Sequence, residues 1–404
     1  MDLGESARDI SLEVMIGQMM MTGVAGTSVT DDARHLIADL QIGNVILMGR
    51  NVESPRQVLA LTTDLARLAL DAIGIPLLIA TDQEGGQVQR LNAAAGFMRM
   101  PDAATVGGCR RPDAIRRYGR AAGEELRAVG VHAAFAPVLD VNDNPSNPVI
   151  GRLNRSFGET PWQVEAAAIP FVRGLHDAGM MSGGKHFPGH GSTSKDSHVA
   201  LASVAKGRAE LTAVELLPFK RAIDEGIDLL LTAHVVYPAL DPSGVPATIS
   251  APILGDLLRR RLGFDGLIVT DGLEMDGISR LMPLGEAAVR AVEAGVDIVL
   301  CVRQRPGNGQ VIEEIRESLL KAAGEGRLSP ERIDQSFRRI VELKERYAVG
   351  PATGEGIEQI GGPDHLRAVA DLNAVHSAPV APGGRRSLIR HLRNRARSGR
   401  GPLD

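Results

Sequence analysis

Eight short apolar segments, separated mostly by helical patterns, constrain the fold of this chain more than any other feature. The segments are 17–24, 42–49, 75–82, 131–141, 179–187, 227–235, 266–271 and 296–302. Most are apolar without alternation, as in strands that are covered on both faces of a parallel sheet. Helical patterns occupy 54–72, 111–130, 161–179, 210–226 and 283–295. Eight strands alternating with helices predict an α/β fold, a (β/α)8 barrel of the TIM type.

The domain organisation follows from where this alternation ends. A last strong helical pattern covers 328–350, and residues 351–404 are rich in Gly, Pro and Arg, with one weak helical stretch near 363–375. We therefore predict one domain over 1–350 and a C-terminal extension over 351–404, Arg-rich and partly disordered. An open doubly wound sheet is the alternative fold, but no GxGxxG follows an early strand.

The charge of the chain is uneven. Residues 384–404 contain seven Arg and one Asp, a charge of +6. Because the net charge of the whole chain is −4, the other 383 residues carry a charge of −10. An acidic body argues against nucleic acid as a partner. The basic tail lacks the aromatic side chains on which bases stack, and we interpret it as a solvated tail.

The cysteines and the apolar content bear on location. Cys109 and Cys301 lie far apart, outside any CxxC, so neither a disulfide framework nor a cysteine metal site is predicted. Two lone thiols fit a reducing compartment. The N-terminal residues lack the apolar run of a secretory signal, and no segment reaches the roughly 18 apolar residues of a membrane span. We expect a cytoplasmic protein, monomeric and without a membrane span.

Candidate site residues follow from the predicted barrel, because active sites of such barrels lie at the carboxyl ends of the strands. Polar residues cluster at five of these ends: 81–90, 140–158, 185–198, 233–238 and 270–277. Asp271 directly follows the apolar run LIVT and is a candidate nucleophile or base, or an aspartate that caps the next turn. Asp82, Lys185 and His186 follow or end other strands, where they could bind a ligand or pair with one another.

The segment GGKHFPGHGSTSKDSH, residues 183–198, combines titratable side chains with four glycines. Asp196 and His198 are two residues apart, so in an extended segment their side chains share a side. The carboxylate would then fix the tautomer of the ring and raise its basicity. Such a pair transfers protons near neutral pH, whereas the alternative is a polar surface turn.

The histidines of this region also permit a metal hypothesis. His186, His190, His198 and His234 could gather with Asp82, but no HxH or HExxH spacing is present. Zinc sites use a defined ligand set at regular spacing, so we expect no metal and no cofactor. We interpret His190 and His234 as structural.

Six motifs, in order, resemble glycoside hydrolase family 3, and more narrowly its single-domain bacterial β-N-acetylglucosaminidases of cell-wall recycling. They span about residues 12–350 and read TDQEGGQVQRL, FAPVLDVNDNPSNPVI, NRSFG, KHFPGHGSTSKDSH, AHVVYPALD with PATIS, and IVTDGLEM. The resemblance implies a (β/α)8 catalytic domain and a retaining reaction, with Asp271 as nucleophile and His198, oriented by Asp196, as acid/base. It also implies that the sugar is held by Asp82, Arg90, Arg155, Lys185 and His186.

Two departures from the family pattern affect these assignments. Three residues, rather than the usual one, separate Gly151 from the RSFG motif, which leaves Arg152 as a rival to Arg155. Ser192 stands where the family commonly has aspartate, which bears on the packing of the loop or on the leaving-group side.

The resemblance implies an exo-acting β-N-acetylhexosaminidase that removes terminal GlcNAc from peptidoglycan-derived or chitin-like fragments. The first alternative is a β-N-acetylglucosaminide or β-glucoside phosphorylase, or a related β-glycosidase of the same family. A phosphorylase is considered because a histidine acid/base does not repel incoming phosphate as a carboxylate would. The second alternative is a non-catalytic sugar-binding protein that kept the barrel.

Overall fold

A computed structural model describes residues 10–196, 201–302 and 309–373. Its main sheet has eight strands, each within one of the predicted apolar segments. They are β1 (Met20–Gly23), β2 (Asn44–Leu47), β3 (Leu78–Thr81), β4 (Ala133–Ala134), β5 (Met181–Phe187), β6 (Leu229–Thr232), β7 (Leu267–Thr270) and β8 (Val299–Cys301). Nearly all of their residues are buried, because helices cover the outer face and side chains fill the interior.

The strands form a barrel of parallel pairs. The hydrogen-bonded order is β7, β6, β5, β4, β3, β2, β1, β8. A parallel bridge between Val269 and Ile298 brings β7 back to the start of β8. The predicted (β/α)8 barrel is therefore confirmed, and the doubly wound alternative is wrong.

The register brings the strand ends level with one another. Thr81 of β3 pairs with Leu47 of β2, and Thr270 of β7 pairs with Thr232 of β6. The residues that follow these strands must therefore emerge at the same end of the barrel. Asp82 and Asp271 are two of them.

The helices lie outside the barrel and between its strands. They are α1 (Leu12–Gln18), α2 (Asp31–Arg34), α3 (Pro55–Ile73), α4 (Ala103–Gly108), α5 (Pro112–Ala128), α6 (Pro161–Asp177), α7 (Arg208–Ala213), α8 (Leu216–Asp224), α9 (Asp276–Ser279), α10 (Leu284–Ala294), α11 (Gly309–Gly324), α12 (Pro330–Arg346) and α13 (Pro363–Asn373). Segments His35–Asp39 and Pro252–Arg261 are π-helical, and short 3-10 turns cover Gly49–Asn51, Ala93–Ala95, Ala247–Ile249 and Ile357–Gln359. Among the described helices none is long and apolar enough to cross a membrane.

One predicted helix is divided in the structure. The pattern at 210–226 predicts a single helix, but α7 ends at Ala213 and α8 begins at Leu216. Pro218 explains the break, because its ring lacks an N–H and collides with the carbonyl four residues earlier in a continuous helix. That carbonyl belongs to Val214, which lies at the break.

The first part of the C-terminal extension packs against the barrel. Glu125 of α5 accepts hydrogen bonds from Gly361 N (2.7 Å) and from Nδ1 of His365 (3.0 Å), which lies on α13. Helix α13 covers most of the weak helical stretch expected at 363–375. The boundary at residue 350 stays a prediction, and the basic tail lies outside the described residues.

Candidate active site

The side chains that sequence analysis selected at β3 and β5 meet in one network at the carboxyl end of the barrel. Lys185 Nζ lies 2.6 Å from Asp82 Oδ1 and 2.6 Å from Glu84 Oε1. Arg90 donates to the other oxygen of Asp82 at 3.2 Å. Lys185 lies where the pairing of β5 with β6 is irregular, between Gly184 and Phe187, and such irregularities redirect side chains.

Arg155 joins this network through Glu84. Its guanidinium makes two parallel bonds of 2.8 Å to the Glu84 carboxylate, a geometry that strengthens and orients a charged pair. Both side chains are buried. The rival arginine, Arg152, is exposed. The structure thus brings Arg155 and not Arg152 into the network, although a sugar-binding role for either residue stays a prediction.

The ionisation of the network follows from mutual pairing. Burial alone would raise the pKa of Glu84, but Arg155 and Lys185 outweigh it and hold that pKa well below its usual range. Burial likewise opposes the charged form of Asp82, and Lys185 and Arg90 nevertheless lower its pKa. The pKa of Lys185 is raised, because its two carboxylates outweigh the effect of burial. All of these groups are therefore charged at neutral pH.

The network carries a surplus of one positive charge. Three cations, Arg90, Arg155 and Lys185, stand against two carboxylates, Asp82 and Glu84. These cations lower the pKa of a nearby carboxyl group, because they stabilise its charged form. Hydroxyl-rich ligands suit the network as well, since each sugar oxygen can accept from a cation and donate to a carboxylate.

His186 is held by Asp140, a fully buried residue that sequence reasoning passed over. Asp140 lies 2.6 Å from His186 Nδ1 and also accepts from the backbone N of His190 at 2.6 Å. Arg155 Nη2 approaches His186 Nε2 at 3.4 Å. Because a carboxylate only accepts, Nδ1 of His186 carries a hydrogen and donates it to Asp140.

A positional signal for Asp140 was present in the sequence. Asp140 directly follows the apolar run that contains β4, as Asp82 and Asp271 follow theirs. Burial would raise the pKa of Asp140, but His186 and His190 outweigh it and lower that pKa. The strand-end rule therefore finds Asp140 as readily as it finds the other two aspartates.

His190 belongs to the same layer of buried rings. Its ring lies edge-on to that of His186, with centroids 5.8 Å apart, and Nδ1 is 2.9 Å from Thr193 Oγ1. Burial and the neighbouring His186 lower the pKa of His190 to about 4, so it is neutral at physiological pH. This placement is compatible with the structural interpretation of His190.

Asp271 emerges from β7 at the same end of the barrel and is partly buried. One carboxylate oxygen accepts from Gly272 N at 2.8 Å. A carboxylate that opens from a buried strand, with one oxygen fixed by the backbone, has the placement that a nucleophile needs.

The predicted acid/base dyad is described only in part. Asp196 is the last residue before the gap and is partly buried. His198 lies outside the described residues, so the dyad stays a prediction. The absence of a metal also stays a prediction, although the described residues contain no group of three His, Cys, Asp or Glu side chains that could hold one.

Ser192 lies among charged groups outside this network. Its hydroxyl donates to Glu215 Oε1 at 2.5 Å and lies 3.3 Å from Asp143. Lys206 bridges the same two carboxylates, at 2.6 Å from Glu215 and 2.8 Å from Asp143. An aspartate at position 192 would face two carboxylates, so the departure from the family pattern suits the buried Glu215 of this chain.

A parallel barrel with paired carboxylates and cations at its mouth is the architecture of a barrel enzyme, and comparison with known proteins defines the family. The model of the glycosyl hydrolase family 3 N-terminal domain matches residues 11–343. The chain therefore belongs to glycoside hydrolase family 3.

Several similar proteins are named as hexosaminidases or β-N-acetylglucosaminidases. The chain is 40% identical to a β-hexosaminidase of Alkalilimnicola ehrlichii over 71% of its own length and 81% of the relative's. It is 36% identical to β-hexosaminidase A of Pseudoalteromonas piscicida over 86% of its own length but only 61% of the relative's. A family 3 β-N-acetylglucosaminidase from a Paenibacillus strain superposes with a TM-score of 0.81 at 43% identity, over 84% of this chain and 63% of that one.

Proposed function

We propose that the chain is an exo-acting β-N-acetylhexosaminidase that cleaves with retention of anomeric configuration. The observation that carries the proposal is the shared end of the barrel at which Asp271 and the Asp82–Lys185–Arg155 network emerge, in a family 3 chain that is similar to named β-hexosaminidases. We further propose that the sugar removed is a terminal GlcNAc on a peptidoglycan-derived or chitin-like fragment.

The network is suited to hold the terminal sugar. Asp82 keeps lone pairs that can accept from a sugar hydroxyl, and Lys185 and Arg90 can donate to the oxygen of that hydroxyl. The hydroxyl is then fixed both as a donor and as an acceptor. Their mutual ion pairs fix these groups before substrate arrives, and such preorganisation lowers the entropy that the reaction must lose. Groups that fix the hydroxyls of one terminal sugar are compatible with exo-acting cleavage.

The chemical step divides between two groups. Asp271 attacks the anomeric carbon, forms a glycosyl-aspartate bond and displaces the aglycone oxygen, which takes a proton from the acid/base. In the second step the base removes a proton from water, whose oxygen attacks the same carbon and releases Asp271. The assignment of the acid/base to His198 and Asp196 rests on the family resemblance.

The test uses an aryl β-N-acetylglucosaminide with the purified chain. We expect release of GlcNAc with the β anomer formed first, as seen by NMR before mutarotation. Initial formation of the α anomer would refute retention, and a sugar 1-phosphate product in phosphate buffer would establish the phosphorylase alternative. No turnover of aryl β-N-acetylglucosaminides, β-glucosides or β-glucosaminides would favour the non-catalytic alternative.

A variant of the nucleophile separates chemistry from binding. Asp271→Ala should lose several orders of magnitude in kcat, because no covalent intermediate can form. Asp334→Ala is the matched control, since Asp334 pairs with Arg338 on the surface of α12. Near-normal activity of Asp271→Ala would remove Asp271 from the mechanism.

We also propose that the protein works in the cytoplasm, as a monomer and without nucleic acid. The support is that two buried cysteines, Cys109 and Cys301, form no disulfide and that the body of the chain is acidic. Cell fractionation and light scattering of the purified chain test the location and the oligomeric state.

A further inference from the structure

The turn that follows the proposed nucleophile is held from both neighbouring strands of the barrel. Gly272 O lies 2.9 Å from Nε2 of His234, a fully buried residue just beyond the end of β6. Because a carbonyl only accepts, Nε2 carries a hydrogen and donates it. His234 therefore does more than fill space in the barrel wall.

The ring of His234 is itself fixed by buried hydroxyls. Nδ1 lies 2.7 Å from Thr248 Oγ1, which also lies 2.9 Å from the hydroxyl of Thr232 in β6. Both threonines are fully buried. Thr248 thus fixes the Nδ1 side of the ring, while Nε2–H stays directed at Gly272 O.

The opposite side of the turn is tied to β8. Leu273 N donates to Leu300 O at 3.0 Å, and Glu274 Oε1 accepts from Val302 N at 2.9 Å. A Cβ added to Gly272 would lie 3.1 Å from the carboxyl group of Glu274, so this group packs directly on the turn. Since β6 and β8 are the two neighbours of β7, the turn after β7 is fixed on both flanks.

We propose that His234 is a positioning residue for Asp271. It holds the Asp271–Gly272 turn in the orientation in which Gly272 N donates to one carboxylate oxygen of Asp271. The inference rests on the proposed role of Asp271 as nucleophile. Loss of the donor would leave the buried carbonyl of Gly272 without this bond and allow the turn to shift.

The expected consequence is a loss in the chemical step and not in binding. The sugar-holding network comes from β3, β5 and the segment that contains Arg155, so His234 touches none of its groups in the bonds described above. A nucleophile displaced by about 1 Å costs up to about 100-fold in rate. We therefore expect kcat to fall about 10- to 100-fold while affinity for GlcNAc changes less than about 2-fold.

The experiment compares His234→Leu, which removes the donor, with His234→Gln, which retains an amide N–H. For each protein the measurements are kcat on an aryl glycoside, the rate at which a 5-fluoro glycosyl fluoride labels Asp271, and the Kd for GlcNAc. His234→Leu should lower both rates, and His234→Gln should recover part of the loss.

His132→Leu provides the matched control. This ring lies just before β4, at the opposite end of the barrel, and Nε2 is 3.2 Å from the carbonyl of Gly350. It should affect stability without lowering kcat. Thr248→Val is a second variant, milder than His234→Leu, and should lower kcat without weakening GlcNAc binding.

The proposal is overturned if His234→Leu keeps kcat within about 3-fold of the native value, or if His234→Gln recovers nothing. It is also overturned if the loss appears equally in GlcNAc affinity. A failure of the proposed function looks different, because then the native protein shows no labelling of Asp271 and Asp271→Ala retains activity.

Discussion

Lys344 offers a quantitative test of how this barrel holds charge in its interior. The side chain, on α12, is almost fully buried, and Nζ donates to Gln18 Oε1 at 2.6 Å and to Gly43 O at 2.9 Å. Among the described residues it has no carboxylate partner. Burial lowers its pKa to about 7. Lys185, which is also buried, keeps a raised pKa because two carboxylates surround it.

The sign of the effect follows from proton binding. The pKa of Lys344 is about 7 in the folded state, whereas a lysine in the unfolded chain has a pKa of about 10.4. Between these pH values the unfolded state binds more protons, so the free energy of unfolding increases as pH rises. Between pH 7.5 and 9.5 the expected gain is about 2 kcal/mol.

The assay compares the native chain with Lys344→Met by urea unfolding at pH 7.5, 8.5 and 9.5. Groups common to both proteins cancel, so the difference in unfolding free energy isolates Lys344. We expect the native chain to gain about 2 kcal/mol on the variant over this range. The difference in unfolding free energy between the native chain and Lys321→Met, a change at an exposed position on α11, should not vary with pH in this way. Parallel pH profiles for the native chain and Lys344→Met would refute the reasoning, because they would mean that the buried ammonium retains an ordinary pKa.

Three further predictions concern the site. Arg155→Ala should lower kcat/KM at least about 10-fold, because the change removes a cation from the site and leaves buried Glu84 with one cation fewer. Arg152→Ala should have little effect, and steady-state kinetics of both variants decide between the two arginines. Asp140→Asn should lower kcat/KM about 10- to 100-fold, because Asp140 no longer fixes the tautomer and orientation of His186. An unchanged kcat/KM would refute this role of Asp140. His198→Ala should damage substrates with poor leaving groups more than activated aryl glycosides, and equal damage to both would indicate a positional role instead.

The fold could be predicted from the sequence because strands that are buried on both faces appear as apolar segments. Every strand of the barrel lies within a mostly apolar segment, and most of the covering helices begin at serine, threonine or proline and often end near glycine. Helix α3 shows this pattern, with Ser54 as N-cap, Pro55 at the first position and Gly74 in the left-handed conformation at its end. The break between α7 and α8 was missed because the apolar periodicity continues through Pro218.

The site was accessible only where position along one strand decides the role of a residue. Asp82, Lys185, His186 and Asp271 all lie at the ends of apolar runs, and the barrel brings those ends together. The partner of Arg155 was not accessible in this way, because Glu84 lies 71 residues away and its burial depends on a turn beyond the strand. Sequence spacing gives no indication of which carboxylate a given arginine selects.

The residues that sequence reasoning left without a role in the site share one property, which is that they act on other protein groups. Glu84 orients Arg155, Asp140 fixes His186, and His234 binds the carbonyl next to Asp271. Each contact joins segments at least 38 residues apart across the barrel. A strand-end rule detects side chains at the mouth of the barrel, because the direction of each strand alone decides which of its ends lies there. That rule also finds the position of Asp140, but not its partner. The partners of all three supporting side chains depend on the register between strands, which places His234 beside the turn after β7 and is set by the closure of the barrel.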